Sequence, residues 1–215
     1  MKKNRRNLFV SLLSLALVCV VAIGATLAYF TDKTEVAQNV FTTGHVNIEL
    51  VDETNPAEGQ IGGTYTDTGI TYSKVMPGDN ISKIVGVESV IDSEAAWVAI
   101  RVDVNNVDLP YSDREEAATS EIYNLVDAQV DDALWTRVPQ VDGTVVYYYN
   151  AALDPFTENK AAMLFDHIDI PGVEWGNDYA DMSFDIDVQA AAVQARNVSM
   201  EDFQAMTWDS LAELA

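Results

Sequence analysis

Cysteine is almost missing from this chain. The single residue, Cys19, lies inside an apolar run, so nothing downstream of it can form a disulfide, a thiolate metal site or a cysteine nucleophile. Cys19 follows Val18, where a lipoprotein signal needs a small residue, and it reads as apolar filler. Histidine is nearly as scarce. His45 and His167 are the only two, they sit in separate segments, and no His-Glu-x-x-His pattern occurs. Catalytic zinc usually takes three protein ligands, so this supply is thin. Nucleophile elbow, phosphate loop and dinucleotide fingerprint are all missing. Basic residues are few: 12 Lys and Arg stand against 34 Asp and Glu, for a net charge of −22. A surface of that sign repels nucleic acid and anionic membrane and attracts cations.

What is present begins with an export signal. Lys2, Lys3, Arg5 and Arg6 precede an apolar run from Leu8 to Ile23, and Gly24-Ala-Thr-Leu-Ala28 supplies small residues before a polar, acidic continuation. A basic segment, an apolar segment and small residues before a cut make a secretory signal peptide. Thr26 and Ala28 suit the −3 and −1 positions, so cleavage is expected between Ala28 and Tyr29. The alternative is an uncleaved anchor, since the stretch from Leu8 to Ala28 just reaches bilayer-spanning length. Cleavage removes 28 of the 215 residues and four of the 12 basic ones; the remaining 187 residues carry 8 basic against 34 acidic groups, or −26. That is enough chain for one domain with a sizeable core.

Two stretches carry a family resemblance. Ala25-Thr-Leu-Ala-Tyr-Phe-Thr-Asp32 leads into Asn39-Val-Phe-Thr-Thr-Gly-His-Val-Asn-Ile-Glu-Leu50, and Met76-Pro-Gly-Asp-Asn-Ile-Ser-Lys-Ile-Val85 places a Pro-Gly-Asp turn before a strand with hydroxyl and Lys residues. Together they resemble the TasA/camelysin family of secreted Gram-positive proteins. The closing run Ala191-Ala-Val-Gln-Ala-Arg-Asn197 is similar to that family's last core strand. The resemblance implies a signal peptidase of SipW type, a jelly-roll β-sandwich, and a place in the extracellular biofilm matrix or on the cell surface. It also implies fibre assembly, in which an N-terminal strand inserts into the next subunit.

The chain divides accordingly into a signal peptide (1–28), an N-terminal arm (29–41), a β domain (42–198) and a C-terminal helical tail (199–215). The expected fold class is mainly β, a jelly-roll-like sandwich with one or two short helices. Many short strands with turn signals support the β class independently of the resemblance. His45 to Val51 alternates, with Val46, Ile48 and Leu50 on one face. Asp52 to Gly69 reads as a loop with a possible short hairpin at Gly62-Gly63. Strands follow over 72–76, 81–87 and 97–105, the last with Val98, Ile100, Val102 and Val104 inward and Ala99 outward. Ser112-Asp-Arg-Glu115 has capping-box spacing and predicts a helix start. A hairpin is expected from Trp135 to Tyr149 with Asp142-Gly143 at its tip. Its second strand, Val145-Val-Tyr-Tyr-Tyr149, is apolar on both faces, which suggests burial on both sides or a partner on the outer one. Further strands are expected over 161–170 and 183–195, and Ser199-Met-Glu-Asp202 predicts a helix through Leu211.

For assembly, the candidate arm residues are Tyr29, Val36, Val40 and Phe41 as anchors, with Phe30, Thr31 and Thr34 flanking them. Sheet edges accept an added strand; the other reading has the arm completing its own sheet. The partners are then the signal peptidase and further copies of this chain or a related matrix subunit, with membrane contact only through an uncleaved signal. An enzyme, a camelysin-like metallo-endopeptidase, is the competing class. His167 with Asp166 and Asp169 is its best local metal candidate. A monomeric binding module presenting Tyr147–Tyr149 is a third. No cofactor is expected, since Ca²⁺ or Zn²⁺ has no supporting motif. Asp52-Glu53, Asp131-Asp132 and Asp178-x-x-Asp181 offer oxygens without an EF-hand pattern.

Overall fold

The computed structural model describes residues 39–42, 46–67, 69–196 and 198–213. The expected signal peptide and the cleavage residues Thr26, Ala28 and Tyr29 lie outside them. So do Phe30, Thr31, Thr34 and Val36 of the arm, and His45.

The described chain is mainly β, with two sheets and three short α-helices. Strands β1 (Asn39–Thr42), β4 (Thr64–Tyr65), β5 (Gly69–Val75), β7 (Ala96–Asp108), β8 (Trp135–Pro139), β9 (Val145–Tyr149) and β11 (Met182–Gln194) build a seven-stranded sheet. Strands β2 (Ile48–Glu53), β3 (Gln60–Ile61), β6 (Asn80–Ser89) and β10 (Ala161–Asp169) build a four-stranded one. Alternation decides which residues face between them. Ile48 and Leu50 of β2, Ile81, Val85 and Val87 of β6, and Phe184, Ile186 and Val188 of β11 all enter one buried apolar cluster. Side chains from both sheets meet there, each sheet burying the inward face of the other.

Several local expectations are corrected. Gly62-Gly63 is not a hairpin tip: β3 pairs with β6 and β4 with β5, so the two glycines carry the chain from one sheet to the other. Crowding at the crossing demands glycine, since a Cβ on Gly63 would lie 2.1 Å from Ile70 Cγ2. The Met76–Asp79 turn closes as expected, with the Asp79 amide donating to the Met76 carbonyl at 3.1 Å and Gly78 at φ +93°. Ser112 does not cap helix α1 (Glu115–Asp127). Its N-cap is Arg114, with no side-chain cap bond. The helix is held instead through Ala118, Ile122, Tyr123 and Val126, which are buried. The Tyr123 hydroxyl accepts the Val104 amide at 2.9 Å, just beyond the point where β9 stops pairing with β7.

The C-terminal tail forms two helices where one was expected, α2 (Met200–Gln204) and α3 (Trp208–Glu213), making three with α1 where one or two were expected. Ser199 caps α2, accepting the Asp202 amide at 3.1 Å. Phe203, Trp208 and Leu211 pack on Ala99, Val146, Tyr148, Ala191 and Val193, the outer face of the seven-stranded sheet. Ala99 is therefore buried, not exposed, because a helical layer covers a face that alternation alone assigns to solvent.

Candidate functional site

β11 is the spine of the larger sheet, and its two edges are occupied differently. On one edge β7 pairs along nearly the whole strand, from Ser183 to Gln194. On the other, β5 pairs antiparallel only from Met182 to Asp187. Beyond Asp187 that edge is continued by β1, which runs parallel to β11 with Asn39 opposite Gln189 and Thr42 opposite Ala192. Two strands from distant parts of the chain thus lie end to end along one edge. Without β1, the amides and carbonyls of that edge at Gln189–Ala192 lose their strand partner, and such groups are a template for another strand.

Sequence reasoning named Val40 and Phe41 of this arrangement; both lie in β1. It did not name the acceptor, Gln189–Ala192. Ala190, Ala191 and Ala192 are all buried. A run of alanines inside an alternating strand was the available signal, since small side chains leave room for close neighbours. Trp208 was also missed: its indole Nε1 donates to Gln189 Oε1 at 3.2 Å, which fastens α3 to the acceptor segment.

Of the metal candidates, His167 lies beside each carboxylate in turn, one at each ring nitrogen. His167 Nδ1 lies 2.5 Å from Asp166 Oδ1, and Nε2 lies 3.5 Å from Asp169 Oδ2. Both ring nitrogens therefore face carboxylates, which use them as hydrogen-bond or ion-pair partners. Asp169 also accepts from the Asn80 side chain. Among the described residues no three His, Cys, Asp or Glu side chains converge as a metal site. The carboxylates Asp52, Asp131 and Asp178 are likewise dispersed, and Asp52 is directed into the core.

The Tyr147–Tyr149 surface proposed for a binding module is not available. All five residues of β9 are buried. The outward Tyr148 ring meets Phe203 edge-on at 5.3 Å, so the chain's own tail covers that face. Tyr147 faces the other way and donates to Asp127 Oδ1 at 2.5 Å. Burial, followed by the hydrogen bond to Asp127 and then that carboxylate's charge, raises the Tyr147 phenol above its ordinary range.

Lys83 and Asp52 were both read from the sequence, one as part of the family pattern and one as an oxygen ligand, but their pairing was not foreseen. Lys83 of β6 is completely buried, with Nζ 2.5 Å from Asp52 Oδ1 and 3.1 Å from the Ile186 carbonyl oxygen. The signal was in the sequence: Lys83 falls in phase with Ile81, Val85 and Val87 on the inward face of its strand. Among the described residues no helix is long and apolar enough to cross a membrane. Comparison with known proteins finds no matching family model, no matching curated protein and no matching solved structure.

Proposed function

We propose that this chain is a TasA-like structural protein of the extracellular matrix or cell surface, with a jelly-roll domain that assembles by exchange of its N-terminal strand. The observation that carries the reading is the divided edge of β11. Four residues of β1 occupy the acceptor segment, whereas the neighbouring β5 belongs to the continuous body of the sheet. A strand at one end of the domain, held mainly on one edge, can be supplied in the same register by a second copy. Every pairing is then preserved, and only the chain that provides it changes. The donor leaves from one end of a subunit and the acceptor lies elsewhere on the next, so the contact is heterologous and propagates instead of closing. Strong negative charge holds copies apart at low ionic strength, and salt shortens the range of that repulsion.

Electron microscopy across a salt series tests the reading, using protein that begins at Tyr29 beside protein that begins at Thr43. Filaments are expected from the first alone. Monomers from both under all conditions would overturn it.

A further inference from the structure

The apolar space between the sheets holds one ion pair. β2 and β6 are antiparallel with Asp52 opposite Val85, which makes Asp52 and Lys83 diagonal neighbours on the same inward face. Lys83 is 0% exposed and Asp52 5% exposed. Two of the amine's contacts are fixed, one on Asp52 Oδ1 at 2.5 Å and one on the Ile186 carbonyl at 3.1 Å. The Tyr72 hydroxyl closes the neighbourhood by donating to the Ser82 carbonyl at 3.0 Å.

We propose that Asp52 and Lys83 become joined by an intramolecular amide between Cγ and Nζ, a covalent link between β2 and β6. It depends on the geometry of this pair alone and stands apart from the assembly reading. A nucleophile and an acyl carbon held in contact inside a packed core have the proximity that turns a slow bimolecular condensation into an intramolecular one. The environment also shifts both groups toward the required protonation states. Burial is the leading influence on each group: it pushes the Asp52 carboxyl up and the Lys83 amine down, while their mutual attraction opposes both shifts. Moving one proton from Nζ to the carboxylate converts two desolvated charges into a neutral acid and a neutral amine.

The amine lone pair then attacks Cγ, forming the C–N bond. The C–O bond breaks, and the hydroxyl leaves with a second proton from nitrogen as one molecule of water. No oxidant, reductant or co-reactant is needed. The product retains one N–H, enough to keep the bond to Ile186. Hydrolysis would have to return water to an inward face that the pair shares with Ile81 and Val85, both fully buried. The link closes a loop that contains β3, β4 and β5, in a chain with no cysteine beyond Cys19.

Denaturing tryptic digestion with mass spectrometry of the purified protein tests this. Trypsin cannot cut after an acylated lysine. The expected product is residues 34–74 joined to residues 75–101 with no cut at Lys83, one water lighter than the two fragments together. Recovery of separate 75–83 and 84–101 peptides in full yield would overturn the proposal. The joined species must also vanish in Lys83→Arg, and its persistence there would equally overturn it. The wild-type measurement decides even if that variant does not fold.

Discussion

Trp208 of the last helix donates its indole proton to the side chain of Gln189, the residue opposite which β1 begins to pair. One side chain thus ties the C-terminal tail to the strand that holds the N-terminal one. Trp208 is also packed within the apolar layer of Phe203, Leu211 and Tyr148. Trp208→Ala should therefore cost about 3–5 kcal/mol in urea unfolding, the usual range for a buried large aromatic. Hydrogen exchange should also quicken at Gln189–Ala192. A loss of stability with unchanged exchange there would separate the tail from the β1 edge.

Asp103 and Asp187 stand directly opposite each other on adjacent strands. Burial first, and the Asp187 charge second, raise the Asp103 carboxyl above its ordinary value of 3.8, with Arg101 opposing. The folded state then binds a proton that the unfolded state has already released. The penalty is fully present above the raised folded value, shrinks as pH falls through it, and is gone below 3.8. Asp103→Asn should stabilise the protein at neutral pH by roughly 0.5–1 kcal/mol, the scale of a cross-strand like-charge contact. Urea midpoints should show the advantage fading in acid; an advantage that grows in acid would refute this account.

At Gly63 the constraint is space. A Cβ there would meet Ile70 Cγ2 at 2.1 Å and Tyr72 Cε1 at 2.9 Å, and both side chains are fully buried. Gly63→Ala should destabilise by about 1–3 kcal/mol, as overpacking does. Gly59→Ala makes a useful contrast. Its Cβ would meet nothing within 4 Å, but its φ of +90° adds backbone strain instead. Thermal unfolding of the pair should show losses in both, and an unchanged midpoint for Gly63→Ala would mean the crossing can move.

The cap at Ser199 is simpler. Its hydroxyl accepts the Asp202 amide at the start of α2. Ser199→Ala should cost about 1 kcal/mol, with Ser199→Asp largely restoring it. Equal losses in both variants by urea unfolding would show that the hydroxyl is not acting as a cap.

Much of the β framework was legible because alternation is a local signal. The runs over 97–105 and 183–195 became β7 and β11 within a few residues. What was not legible depended on layers meeting from afar. Ala99 looks solvent-exposed, and the outer face of β9 reads as either buried or partner-bound, until α2 and α3 are known to lie over them. Ser112 has the right spacing for a cap, yet the helix begins from Arg114, its position fixed by buried contacts with β7. The β1 acceptor edge was hidden for the same reason: nothing within Gln189–Ala192 states where β5 ends. Lys83 and Asp52 were each visible as inward-phased polar residues, but their partnership spans 31 positions and two strands.

The direction of β1 has a mechanical consequence. Because β1 runs parallel to β11, the chain enters the pair at Asn39 and leaves it at Gln194, at opposite ends of the ladder. Tension applied between those two points acts along the strands, so the hydrogen bonds from Asn39 to Thr42 carry the load together. A hairpin pulled from its open end yields one bond at a time. The short strand therefore resists by shear, and a chain of subunits linked through the same pairing would bear tension at each joint by collective rupture instead of peeling.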